Sequence, residues 1–282
     1  MSLTLMYITN NPDMALIAQK AGVDRIWVDM EYIGKEDRQA GMNTVKSHHT
    51  IEDICRLRPL IQSSQLMVRV NPLHEATSAY GSSKEEIDAA IAAGAEVLML
   101  PMFRTRAEVE RFIEYVDGRA TVQLLVETAE AAQNIDDILL CSGIDEIHIG
   151  LNDLHLAKKM TFMFELLCDG TVATLCAKIR DKGFKYGFGG IARVGHGMLP
   201  AEHIIAEHYA LGSTAAILSR GFCDANLVTD PREIEDAFIQ GVKDIRKKER
   251  EAAGYTLRQY EDNRAVIQEK VAQIVCKIKE QG

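Results

Sequence analysis

Strand-type apolar runs alternate with helix-type segments along the whole chain, and that alternation limits the architecture more than any other feature. The strand-like runs are Leu3–Thr9, Arg25–Glu31, Leu66–Val70, Glu96–Pro101, Thr121–Thr128, Asp145–Gly150, Lys185–Ala192 and Thr214–Arg220. Each is close to continuously apolar, the pattern of parallel strands covered on both faces. Between them lie helix signals. Asn11-Pro12-Asp13 opens a helix that closes before Gly22, and Thr105 with Glu108 forms a capping box for 105–116. Further helices are expected at 51–61 (capped by Thr50 or His49), 84–93, 131–140, 162–182, 200–211 and 231–253. Eight strand–helix units that close on themselves give an α/β fold of the (β/α)8 TIM-barrel type. A doubly wound open sheet is the weaker reading, because the first strand–helix turn, Thr9-Asn10-Asn11-Pro12, lacks the G-x-G-x-x-G fingerprint.

The barrel is assigned to residues 1–253 and an extra amphipathic helix to 254–282. In the latter, Leu257, Tyr260, Ile267, Val271, Ile274 and Ile278 recur at helical spacing. This helix packs either on its own barrel or on a neighbouring subunit. Composition narrows the function. A formal charge of −9 with no long Lys/Arg run argues against nucleic-acid binding. No apolar run reaches the ~20 residues of a membrane span, and no basic segment followed by an apolar one marks a signal peptide. Six scattered cysteines without a C-x-x-C fit a reducing cytoplasm.

In a parallel barrel, chemistry collects where strands end. Polar residues there are Asp29 and Glu31 after strand two, Arg69 in strand three, Glu127 after strand five, Asn152 and Asp153 after strand six, and Ser219 and Arg220 after strand eight. Strand four ends on Pro101-Met102, which offers shape without charge. Glu127 and Asp153, on neighbouring strands, form a clamp of hard oxygens suited to Mg²⁺ or Mn²⁺. Zinc is disfavoured, since no cysteine or histidine stands at a matching strand end. Two carboxylates held by Arg69 or a lysine are the plainer alternative. Arg69 in an apolar strand calls for anionic partners, either Asp29 and Glu31 or a ligand. His148 is expected in the core, and His49 as a helix cap ahead of an acid/base. The glycines Gly187, Gly189 and Gly190 permit either a tight turn or the close approach of an anion.

Five segments in order carry a resemblance: Asp24-Arg-Ile-Trp-Val-Asp29-Met-Glu31, Val68-Arg69-Val70, Gly94-Ala-Glu-Val-Leu-Met-Leu-Pro101, Val126-Glu127-Thr128 and Ile149-Gly150-Leu-Asn-Asp153-Leu154. Together they resemble the metal-dependent pyruvate aldolases of the HpcH/HpaI aldolase and citrate lyase β-subunit family. The resemblance implies a divalent metal on Glu127 and Asp153, chelated by a pyruvate unit of a 2-oxo acid substrate. It places Arg69 at the keto oxygen, N–H groups around Asn152 and Asp153 at the carboxylate, and Asp29 and Glu31 in a proton-transfer shell reached through water. It also implies a homo-oligomer, a trimer or hexamer. Two positions depart from the family: Tyr32 stands where a histidine usually follows Asp-x-Glu, and Leu125 where a glutamine often touches substrate. The insert after strand two offers Lys35, Arg38 or His49 as replacements. The expected activity is therefore a metal-dependent carbon–carbon lyase. Its rivals are a lyase or synthase acting on a CoA thioester or citrate-like acid, and a barrel that binds a keto acid without turnover.

Overall fold

Eight short strands pair in sequence order, all parallel, and the last pairs with the first to close a barrel. They are β1 (Thr4–Ile8), β2 (Arg25–Asp29), β3 (Gln65–Arg69), β4 (Val97–Leu100), β5 (Thr121–Val126), β6 (Glu146–Ile149), β7 (Lys185–Ile191) and β8 (Ala215–Leu218). This computed structural model describes residues 2–34, 49–219, 222 and 231–281. Lys35, Arg38 and Arg220 lie outside the described residues.

Alternation along the strands sorts the core into two. Side chains facing the helices form the larger core. Met6, Trp27, Met67, Val97, Met99, Leu125 and Ala215 form a separate cluster. At the entry end of the strands, Arg25 of β2 makes two bonds to Glu146 of β6, at 2.5 and 2.9 Å. The same face is braced from outside by the helix Pro231–Ala253: Glu249 accepts the N–H of Leu3 at 2.5 Å, and Arg246 donates to the Leu3 carbonyl at 2.7 Å.

The helical segments differ from expectation where a breaker intervenes. The helix at 51 stops at Leu57 and continues as a 3-10 turn over Arg58–Leu60, because Pro59 has no N–H for the next helical bond. The stretch at 162–182 is two helices, Glu165–Cys168 and Thr171–Asp181, separated at Gly170 with φ +83°. That expected at 131–140 is broken at Asn134. One further helix, Leu151–Ala157, begins directly after β6, so Asn152 and Asp153 lie in its first turn rather than in the strand.

The last helix, Leu257–Gln281, lies along its own barrel. Ile267, Val271 and Ile274 are buried, and Arg264 bonds the buried Glu207 of the helix Ala201–Leu211 at 2.9 Å. Glu207 is buried enough for desolvation to raise its pKa, which the Arg264 charge opposes. Asn263 adds contacts to His203 at 2.8 and 3.1 Å.

Candidate active site

Arg69 is the centre of the strand-exit face. Its guanidinium is bound at both ends by Asp29, with Nε–Oδ1 and Nη2–Oδ2 each at 2.8 Å, and Nη2 stands 3.3 Å from Glu31 Oε2. The indole of Trp27 lies beneath it, 5.1 Å from ring centroid to Cζ. Register explains the meeting, since Asp29 and Arg69 are paired residues on β2 and β3 and face the same side. All three charged groups are buried. Burial alone would lower the Arg69 pKa, but Asp29 and Glu31 more than offset it and hold the guanidinium charged.

Glu127 follows β5 and is 3% exposed. Its carboxylate Oε1 accepts the N–H of Met102 at 3.1 Å. Met102 has φ +56°, a left-handed conformation that costs a non-glycine residue about 1–2 kcal/mol. Thus the end of strand four contributes a backbone donor, which its side chains gave no reason to expect. Opposite, Gly150 makes the room: a Cβ there would stand 2.9 Å from Glu127 Cβ and 3.0 Å from Oε2. Burial raises the Glu127 pKa well above the ordinary carboxylate range, with Glu31 and Asp153 adding to it and Arg69 opposing.

Glu31, Glu127 and Asp153 therefore act on one another with Arg69 as the cation among them. Among the described residues, no three His, Cys, Asp or Glu side chains converge as a metal-ligand set. A pair of hard oxygen donors in a field of excess negative charge suits Mg²⁺ or Mn²⁺, which routinely complete their shell with water or substrate oxygen. The close approach of Gly150 to Oε2, which a Cβ would crowd at 3.0 Å, brings the start of the helix that carries Asp153 against this donor. Asp153 is half-buried and Asn152 exposed, both at the start of the short helix that Gly150 begins.

Other expected residues fall elsewhere. His148 is wholly buried, with Nε2 3.1 Å from the Gly189 carbonyl. The cap of the helix Ile51–Leu57 is Thr50, closed by Asp53, so His49 is not the cap. Instead the Asp29 N–H donates to His49 Nδ1 at 3.0 Å, which fixes the imidazole against the Arg69 cluster. Gly187 and Gly189 serve packing: a Cβ on Gly187 would stand 2.3 Å from the Ala215 carbonyl oxygen, and one on Gly189 2.7 Å from Leu151. Tyr32 is 46% exposed, and burial, then Glu86, then Tyr80 raise its phenol pKa. Asn71 was not anticipated. Its Oδ1 accepts the N–H groups of Tyr32 and Ile33 at 2.9 and 3.0 Å, and its Nδ2 donates to half-buried Glu86 at 2.8 Å.

The strand-exit face of a closed parallel barrel, here set with an arginine and carboxylates, is where enzymes of this architecture carry their chemistry. Residues 3–162 match the model of the HpcH/HpaI aldolase/citrate lyase family, and the chain belongs to that family. Similar solved structures include an HpcH/HpaI aldolase/citrate lyase family protein from Burkholderia cenocepacia J2315, with TM-score 0.61 and 16% identity over 86% of this chain and 95% of that one. An HpcH/HpaI aldolase from Desulfitobacterium hafniense DCB-2 has TM-score 0.59 and 16% identity, over 87% and 93%. The citrate synthase SbnG has TM-score 0.59 and 18% identity, over 82% and 94%. At these identities the likeness is one of fold. No curated protein matches the sequence significantly.

Proposed function

We propose that the protein is a divalent-metal-dependent carbon–carbon lyase that makes or breaks a 2-oxo acid through the enolate of a pyruvate unit. The observation that carries this reading is the buried Arg69 held by Asp29 and Glu31 beside the charge-crowded Glu127. Glu127 and Asp153 would hold the cation, which when bound supplies Lewis-acid polarisation of the keto group. Arg69 faces the oxygen where negative charge develops, and its two bonds to Asp29 fix it before reaction begins. With both oxygens of Asp29 engaged, that residue orients Arg69, and Glu31 is the carboxylate of the pair better placed to relay protons through water. As the family resemblance implies, backbone N–H groups around Asn152 and Asp153, in the first turn of the helix Leu151–Ala157, would receive the pyruvate carboxylate. Tyr32 stays a phenol near neutral pH, so it serves as a hydrogen-bond donor and not as the base.

The test needs no acceptor. Protein incubated with pyruvate and Mg²⁺ or Mn²⁺ in deuterated water should raise the mass of recovered pyruvate by exchanging its methyl protons. Absence of exchange with either metal rejects the enolate reading and favours a barrel that binds without turnover.

A further inference from the structure

Beside a cluster of carboxylates, a histidine ordinarily donates a ring N–H to one of them. His49 does the reverse. Its Nδ1 takes the backbone N–H of Asp29 at 3.0 Å, while both carboxylate oxygens of Asp29 are held by Arg69. The reason lies in how β1 and β2 part. Their pairing ends at Ile8 and Trp27, with Thr9 N–H reaching the Trp27 carbonyl at 3.0 Å, and the chain then leaves the sheet for the helix Pro12–Lys20. Asp29 lies two residues beyond Trp27, so its N–H points to the side that β1 has left. The residue is buried, and a buried N–H needs an acceptor. His49 supplies it. The segment that carries the ring is anchored one residue later: Thr50 N–H donates to Asp53 Oδ2 at 3.0 Å, and Asn10 Nδ2, just past β1, donates to the same oxygen at 3.1 Å.

That bond fixes the state of the ring. A nitrogen that accepts an N–H carries no proton of its own, so the neutral imidazole has its hydrogen on Nε2. Turning the ring over would set Cδ2–H against the Asp29 N–H, so the identity of Nδ1 follows from the donor it meets. The ring lone pair that could take a proton from a substrate is the one Asp29 already occupies. His49 therefore cannot act as a base while the bond holds, and a proton on Nδ1 breaks it.

We propose that His49 is a positioning residue of the Arg69 cluster: a neutral imidazole that holds the Asp29 backbone, through which the Asp29 carboxylate holds Arg69 in place. It acts through Asp29 and transfers no proton. The role in turnover rests on the enolate reading, since that reading sets Arg69 at the oxygen where charge develops. The tautomer of the ring rests on the Asp29 contact alone.

The test pairs two amides of the same chemistry and different reach. Asn sets its Oδ1 where Nδ1 stands and can accept from Asp29, whereas Gln sets its oxygen one bond farther out. In pyruvate methyl-proton exchange with Mg²⁺ or Mn²⁺, His49→Gln should lower kcat about tenfold or more and leave KM for pyruvate within about twofold. His49→Asn should recover most of that loss. Loss of a base would depress both variants alike. Equal loss in the two, no loss in either, or a more active Gln variant overturns the proposal. A second measurement needs neither substrate nor a folded Gln variant. Wild-type protein with ¹⁵N in the rings of its eight histidines should show His49, assigned by the signal missing from His49→Asn, with a proton on Nε2 and none on Nδ1 near neutral pH. An Nδ1–H tautomer or an imidazolium there overturns the proposal. The two levels fail separately. Exchange in wild type with the wrong tautomer, or without the Asn–Gln difference, rejects the proposal alone. Absent exchange in wild type rejects the enolate reading and the role of His49 in turnover with it.

Discussion

Glu127 concentrates the cost of this site in one side chain. It is buried, two neighbouring carboxylates oppose its ionisation, and one backbone N–H is the bond given to it. Glu127→Gln keeps the shape and can still accept from Met102 while removing the charge. Metal titration by calorimetry should show at least about a tenfold weaker affinity for Mn²⁺, while thermal unfolding without metal is unchanged or higher. Unchanged Mn²⁺ affinity would exclude Glu127 as a ligand. At this scale the sequence displayed the charged half of the site and hid the rest. Asp29, Glu31, Arg69 and Glu127 stood out because charge at the end of an apolar strand is conspicuous. Met102 contributes through its backbone and Gly150 through the absence of a side chain, so neither has a residue-type signal. The Asn71–Glu86 bond joins positions 15 apart on a strand exit and a helix, a spacing that belongs to no local pattern.

At the scale of elements, β7 is the informative strand. Gly187 and Gly190 lie against β8 while Gly189 makes way for Leu151, and the register between the two strands shifts between Gly187 and Gly190. Gly187→Ala would drive a methyl into the Ala215 carbonyl, a backbone atom that cannot rotate away. Denaturant unfolding should show a loss of about 3 kcal/mol or more, or no folded protein. A loss below about 1 kcal/mol would mean that the two strands are free to part there. The strands were legible because buried parallel strands are apolar throughout. The helix Leu151–Ala157 was not, because seven residues opening on Gly-Leu-Asn-Asp look like a turn until the chain is folded.

Over the whole molecule, two wholly buried histidines resist protonation. Burial lowers the pKa of His148 to about 4 and that of His208 to about 3; Phe188 stacks on the latter at 3.9 Å. An unfolded histidine titrates near 6.5, so below that pH the unfolded chain binds protons that the folded one refuses. Each should therefore remove up to about 1.4 kcal/mol of stability per pH unit as pH falls from 6.5 toward its folded value. Glu127 and Glu86, with raised pKa values, act in the opposite direction over an overlapping range. The histidine contribution is thus read as a difference: urea midpoints of His208→Gln should fall less between pH 6.5 and 5 than those of wild type. Parallel curves would show that His208 takes its proton in the folded protein as readily as in the unfolded one. The barrel as a whole was foreseen from its alternation, and with it the place of mid-strand His148 in the core, whereas the burial of His208 depends on neighbours such as Phe188 that are distant in sequence.

The clamp on the first strand has a consequence for how the chain is made. Leu3 gives its N–H to Glu249, 246 residues later, and β1 completes its pairing only with β8. A ribosome adding 5–20 residues per second takes roughly 12–50 s to supply that partner. Throughout that interval the growing chain carries one strand edge that nothing of its own can cover. Closure of the barrel, and with it the cover for that edge, therefore belongs to a late stage of synthesis, after β8 and then Glu249 have been made.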